Sequence, residues 1–202
     1  MKLIGSYTSP YVRKVRIALI EKGLEAEFIN DPPWELSTHV PDFNPLGKVP
    51  ALVTDAGDVL FDSNILLEYL ELQGGAVPLF PADKRDALVV RQLATLADGV
   101  CDAGVAIVLE GRRPADKQVP DWIARQQGKI ERGLTALERQ ATGREFLFGN
   151  SLTAADVATG CMLLWLDFRL PTFDWRSKHP ALVALTTRLS ARDSFSQTIP
   201  KA

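Results

Sequence analysis

Cysteine, histidine and methionine each occur only twice in 202 residues, and neither sign of charge is in clear excess. Cys101 and Cys161 stand apart, with no CxxC pair and no metal-ligand spacing, so the chain gives no basis for a disulfide framework and no metal is expected. Their isolation fits a reducing compartment and small buried thiols. His39 and His179 fall in loop or boundary segments without triad-like company and receive no role. A formal charge of -2 and a pI near 5.7 leave no concentrated basic face for phosphate, so no nucleic-acid partner is expected. No apolar run approaches the roughly 18 residues of a membrane span, and Met1–Gly5 turns polar without an h-region. No membrane segment is therefore expected, and the cytoplasm is the expected compartment.

What remains is ordinary for a folded protein. Apolar residues make up 46% and charged residues 24%, which permits a core and points away from disorder. The length allows one domain or two small ones.

The stretch from Asn44 to Ser63 organises the rest. A Pro-marked corner, Asn44-Pro45-Leu46-Gly47-Lys48-Val49-Pro50, feeds a strand at Ala51–Val53. A turn at 55–58 and a second strand at 59–61 lead to Asp62-Ser63, a polar cap before an apolar helix. Pro50 is tolerated at a first strand position because it need not donate to the ladder. A cis Val49–Pro50 bond would leave the backbone groups of Val49 facing outward, free to pair with an extended ligand. The unpaired N–H groups at the following helix start favour a carboxylate, with the Ser63 hydroxyl adding to them and Asp62 offering an acceptor for an ammonium. A backbone strip, an anion site and a carboxylate side by side suit a short zwitterionic peptide. The plain alternative is a trans bond and a helix cap with no ligand.

Before this stretch, residues 2–6 read as a strand. Ser9 and Pro10 give the cap and first-position order of a helix that runs to Lys22 and stops at Gly23. Val12, Val15, Ala18 and Leu19 form its apolar stripe, while Arg13, Lys14 and Arg16 read as a solvated face that adds positive potential. A second strand is expected within 24–30, and residues 31–42, with three prolines and a tryptophan, read as irregular. Gly74 to Pro81 carries two glycines and two prolines and is the best boundary in the chain. From Asp83 the period becomes helical: Val90, Leu93, Ala94, Ala97, Val100, Cys101, Gly104, Ile107 and Val108 predict one long helix ending before Arg112. A second helix is expected over 120–140. Thr153 with Asp156 is a capping-box variant, with Leu152 and Val157 at staple spacing, that starts a third. Residues 180–192 read as a last helix.

Asn44 to Leu52 together with Asp62-Ser63 resembles the glutathione-binding half of the glutathione transferase superfamily, and the ordered motifs extend the resemblance over nearly the whole chain. It implies the glutathione transferase fold: an α/β, thioredoxin-like domain over 1–76, a linker at 77–82, and an all-helical domain over 83–202. It also implies that Val49, before the family's cis-proline at Pro50, pairs with the cysteinyl part of glutathione, and that Asp62 and Ser63 hold the γ-glutamyl end. Lys48 is placed to reach the glycyl carboxylate, or is a solvated loop lysine.

If glutathione is the co-substrate, its thiol must ionise near neutrality. Lowering a thiol pKa from about 8.5 to roughly 6.5 to 7 requires about 2 to 3 kcal/mol of preference for the thiolate. One charge-assisted hydrogen bond contributes about 1.5 to 3 kcal/mol. Ser9 is placed to supply it, because a cap serine accepts from its helix amides while its proton is directed at the sulfur. The family's serine-type members carry the thiolate-stabilising serine at this helix start. Serine rather than cysteine at position 9 leaves glutaredoxin-like exchange without a nucleophile. Tyr7 is the rival donor and Thr8 a weaker one. For the electrophile, Pro10 and Tyr11 with Arg112 and Trp165, and further Cys101 and Phe168, are the candidates, each with plain core or surface as the alternative.

The reading is a glutathione transferase acting on a small electrophile, with a homodimer implied by the resemblance. Its rivals are a non-catalytic transferase-like module that contacts a protein partner, and a glutathione-dependent isomerase or dehalogenase.

Overall fold

The computed structural model describes residues 1–201. The chain divides into two compact units, Met1–Pro81 joined by the segment from Ala191 onward, and Ala82–Ser190.

In the first unit, β1 (Lys2–Gly5) is followed by α1 (Pro10–Lys22), which Ser9 caps through a bond from the Val12 amide and Gly23 ends at φ 66°. That φ is the left-handed conformation glycine adopts without penalty. The helix carries the chain back to β2 (Glu27–Asn30), which pairs parallel to β1, as a helical crossover permits. A short helix, α2 (Val40–Phe43), then interrupts the segment read as irregular; Pro41 sits in its first turn, where its missing N–H costs nothing. The hairpin of β3 (Ala51–Val53) and β4 (Val59–Phe61) adds antiparallel strands in the order β2-β1-β3-β4, and α3 (Ser63–Leu72) follows. Ile4, Val40 and Ala51 form one fully buried cluster, packed by Ile29, Phe43 and Val49.

Two residues of α1 expected to face solvent do not. Arg13 is 4% and Lys14 1% exposed. Arg13 donates to the Phe195 carbonyl and to the Thr198 hydroxyl, while Lys14 donates to the Asn64 side chain at 3.0 Å. Lys22 is also buried, donating to Glu71 at 2.8 Å and to the Val77 carbonyl at 3.1 Å.

The tail differs from the expected division, which placed 191–202 with the helical part. A turn of helix, α8 (Asp193–Ser196), sits against α1, and Glu21 accepts two bonds from the Arg192 guanidinium and one from the Ser194 hydroxyl. Charge and hydrogen bonds thus fix the tail where apolar spacing carries no signal. Burial opposes ionisation of Glu21, but the bonds from Arg192 and Ser194 outweigh it and hold its carboxyl below the usual range.

The second unit is helical: α4 (Lys84–Gly111), α5 (Pro120–Ala141), α6 (Ala154–Arg169) and α7 (Pro180–Ser190), the last ending two residues short of the expected helix. Contrary to the sequence reading, α4 is long and apolar enough to meet the criteria for a span by length and composition. Within the fold its stripe of Val90, Ala94, Ala97, Val100, Cys101 and Gly104 is buried, and α4 packs on α5 and α6. A side chain at Gly104 would meet the Trp165 ring at 2.8 Å, so the absent Cβ permits that close seam. Glu138 on α5 caps α7 by accepting from the Ala181 and Leu182 amides, a tertiary cap with no local motif. The capping box at Thr153 and Asp156 is formed as expected. Asp156, fully buried, also accepts from the Leu147 amide at 2.7 Å; burial pushes its carboxyl up while these bonds pull against it.

Two predictions follow from these anchors. Asp156→Ala strands the buried Leu147 and Thr153 amides and lowers stability by about 2 to 4 kcal/mol, read as a fall in the urea midpoint at unchanged slope. Glu21→Gln lowers stability near neutrality by about 1 kcal/mol. Because the folded pKa of Glu21 is depressed, that deficit is full above the free carboxylate range, near pH 4.3, and closes as pH falls through the folded value. Thermal unfolding of both proteins from neutral to acid pH checks this; a gap that widens on acidification contradicts it.

Candidate functional site

The strand registers bring the predicted elements to one end of the first unit's sheet. Ile4 pairs with Ala51, and Ala51 with Phe61. Ile4, Ala51 and Phe61 thus stand in one row, from which the chain continues to Ser6 on one strand, to Pro50 and Val49 on the next and to Asp62 and Ser63 on the third. Strand spacing of about 4.8 Å makes that row about 10 Å wide, the length of an extended tripeptide. Val49–Pro50 is a cis bond.

At the β1 end of the row, the Ser9 amide donates to the Ser6 carbonyl at 3.1 Å, which folds the chain from strand into helix. Ser9 lies in extended conformation and accepts from the Val12 amide at 3.3 Å, so that bond leaves its hydroxyl proton unused. The Tyr7 ring packs at a tilt of 51° against Phe28 with centroids 4.8 Å apart, and the Arg16 guanidinium and the Lys201 ammonium lie 5.2 and 5.6 Å from its centroid. Thr8 shares a 3.1 Å bond with the Ser6 hydroxyl. Of the three hydroxyls considered, Ser9 is the one at the helix start.

At the far end, Asp62 adopts φ 73°, and it is the one non-glycine residue with positive φ among the described residues. Such a conformation costs on the order of 1 to 3 kcal/mol unless the surroundings enforce it. Asp62 caps α3 by accepting from the Asn64 amide at 2.8 Å, and its side chain is exposed. Ser63, the first residue of α3, is 4% exposed. The Lys14 ammonium, bonded to Asn64, ties α1 to this same helix start and adds positive charge there.

Asn44 is a positioning residue that sequence reasoning named only as the start of the corner. It is 3% exposed, donates to the Lys48 carbonyl at 2.8 Å, and accepts from the Leu46 amide at 3.0 Å. One side chain therefore fixes the loop that delivers Val49. The signal available was the Asn-Pro-x-Gly turn itself, completed by Gly47 at φ 61°. The Lys48 side chain is exposed.

The electrophile candidates are divided between the two units. Pro10 and Tyr11 flank Ser9 at the start of α1. Arg112 and Trp165 belong to the second unit, where Arg112 is the exposed C-cap of α4 and Trp165, 5% exposed, fills the α4–α6 seam at Gly104. Cys101 is buried in the same seam and Phe168 is at the surface. A cavity of about 610 Å³ lies between α1 and β2 and is lined by none of the predicted site residues. Among the described residues no group of three or more histidine, cysteine or acidic side chains is placed to hold a metal.

Comparison with known proteins agrees with the geometry. Residues 8–73 match the family profile described as glutathione S-transferase, N-terminal domain, and residues 120–188 match the corresponding C-terminal domain. An uncharacterized GST-like protein of Escherichia coli (strain K12), YibF, is 44% identical over 200 residues, covering 99% of this chain and 98% of that protein. The crystal structure of a glutathione S-transferase from Methylobacterium radiotolerans in complex with glutathione sulfonate is 42% identical, with a TM-score of 0.95 over 100% of this chain and 95% of that one. A glutathione S-transferase structure from Methylobacillus flagellatus with GSH bound is 38% identical, with a TM-score of 0.96 over 99% of each chain. With a four-stranded thioredoxin-like unit, a helical second unit and both family profiles matched in order, the chain belongs to the glutathione transferase superfamily.

Proposed function

We propose that this chain is a glutathione transferase that binds glutathione along Val49, Asp62 and Ser63, with Ser9 at its sulfur, and transfers alkyl or aryl groups to that sulfur. The observation that carries the reading is the register of Ile4, Ala51 and Phe61, which brings the end of β1, the start of β3 and the end of β4 to one edge of the sheet, the edge from which the Ser9 cap, the residue 49 corner and the Asp62 cap continue. The similar structures that hold glutathione or its sulfonate support the same ligand.

In this reading Val49 aligns the cysteinyl backbone, with Pro50 behind it. The α3 amides and the Ser63 hydroxyl take the γ-glutamyl carboxylate, and Asp62 takes its ammonium. Lys48 reaches toward the glycyl carboxylate from the exposed corner. The Ser9 hydroxyl donates a hydrogen bond to the sulfur, stabilising the thiolate without itself attacking. The thiol proton passes to solvent, and the thiolate electron pair forms the carbon–sulfur bond as the carbon–leaving-group bond of the electrophile breaks. The leaving group (halide in an aryl halide) departs with its electron pair, and Pro10 and Tyr11 lie beside the reacting sulfur. Val59, Phe61 and Ile65 are 40%, 37% and 52% exposed on β4 and α3, an apolar face that supports a homodimer.

Retention on immobilised glutathione with turnover of an aryl halide is the expected result. Retention without turnover favours a binding module, and turnover confined to an isomerisation or dehalogenation assay places the chain with those enzymes. Ser9→Ala raises the pKa of the bound thiol by about 1 to 2 units while Tyr7→Phe barely moves it, as read from thiolate absorbance against pH. The reverse pattern moves the donor to Tyr7. Asp62→Gly relieves the positive φ, so the free protein holds its stability or gains about 1 kcal/mol, while affinity for glutathione falls at least tenfold. Calorimetric unfolding and ligand titration of this variant separate the two effects, and a free protein clearly destabilised by the change contradicts the assignment.

A further inference from the structure

Helix α5 buries Gln126, Ile130, Gly133, Leu134, Leu137 and Ala141 and turns its remaining sides to solvent. On the exposed part Arg125, Lys129, Arg132 and Arg139 recur at intervals of four, three and seven residues, which keeps them within about 80° of arc along about 21 Å of helix. The formal charge of -2 conceals this stripe. The acidic residues of the same helix do not offset it: Glu138 caps α7, Glu131 lines a hollow with Lys178 and His179, and Asp121 sits in the first turn. Among the described residues none of the four cations forms an ion pair or a side-chain hydrogen bond, and like charges three and four residues apart on a helix repel one another. Lys129 lies 6.0 Å from the ring centroid of Trp122, which is 44% exposed at the head of the stripe. A side chain at Gly128 would meet Arg132 Nη1 at 3.1 Å, so the glycine leaves room for that guanidinium to lie back toward the start of the helix.

We propose that this stripe is a docking face for an acidic α-helix of another protein. Three of its four cations are arginines, whose planar forks match carboxylates bidentately, and Trp122 supplies an aromatic anchor of the kind that dominates binding energy. A partner helix with carboxylates at the same intervals meets every cation, because two helices share one rise per residue. An extended chain presents same-face groups about every 6.8 Å and is out of step by Arg132, about 10.5 Å from Arg125. A single convex helix face forms no basic groove to track a nucleic-acid strand. A contact one helix wide and about 21 Å long falls below the roughly 1,000 Å² of stable complexes, so the docking is transient. The face shares no residue with the Ser9, Val49 and Ser63 site and stands whether or not the glutathione reading holds.

Fluorescence anisotropy of a labelled alanine–glutamine helical peptide, titrated with the full chain at low salt, tests it. The peptide carries glutamates at i, i+4, i+7 and i+14, and a control of the same composition carries them at i, i+2, i+4 and i+6, which scatters them around the helix. Saturable binding of the first peptide is expected, at least tenfold tighter than that of the control and weakening as salt rises. The double variant Arg125→Gln, Arg132→Gln weakens it at least tenfold, while Arg132→Lys, which keeps the charge and loses the fork, weakens it less. All three positions are exposed, and unchanged thermal unfolding shows that the fold is kept. Phosphatidylglycerol vesicles and oligothymidylate serve as competitors and are expected to displace the peptide poorly. Tighter binding of either competitor than of the peptide, equal binding of the two peptides, undiminished affinity in the double variant, or no saturable change in anisotropy would each overturn the proposal.

Discussion

The candidate site depends on two antiparallel registers, β1 against β3 and β3 against β4. Because side chains alternate faces with a period of two, a slip of one residue in either ladder would turn Ala51 and Leu52 onto opposite faces and carry the residue 49 corner out of line with residues 6 and 63. The first register is fixed by burial, since Leu3, Ile4, Ala51 and Leu52 are at most 1% exposed, and the second by the tight turn in which Thr54 bonds to Gly57 and Asp58. Core packing and site geometry are therefore one constraint. The apolar residues that hold the sheet together also bring the end of β1, the start of β3 and the end of β4 to one edge.

A second layer of polar ties locks the helices to that sheet. Lys14 joins α1 to the start of α3, and Lys22 joins the end of α1 to Glu71 and the chain that leaves α3. Glu21 and Arg13 hold the returning tail along the same helix. Buried charges are costly to desolvate and are retained where partners compensate them, so α1 is anchored at several points along its length. Ser9 stands at the head of this anchored element, and a donor that stabilises an ion loses little to reorganisation when its helix does not move. Asp62 shows the complementary behaviour: its backbone holds a conformation that stability alone does not favour, at a position where a ligand ammonium is proposed to sit.

Much of this was legible in the sequence wherever the signal was local. Ser9-Pro10 and Gly23 bracket α1 because caps and stops act within one turn, and Thr153 with Asp156 marks the start of α6 for the same reason. Signals that depend on distant residues were not legible. Arg13 and Lys14 read as solvated because their partners, Thr198 and Asn64, lie 185 and 50 residues away. The cap that Glu138 gives α7 and the return of the tail to the first unit arise only in the folded chain. That Trp165 packs on Gly104 was likewise not legible, because an aromatic residue at helical spacing does not reveal its neighbour. The left-handed φ of Asp62 has no local signature beyond the residue type.

Isotope-filtered nuclear Overhauser contacts between glutathione and the labelled chain test the central claim most directly. The account predicts cysteinyl protons near Val49 and Ser9 and γ-glutamyl protons near Ser63 and Asn64, all from one bound molecule. Contacts confined to the α1–β2 cavity or to α4–α7, or γ-glutamyl protons far from α3, would contradict it.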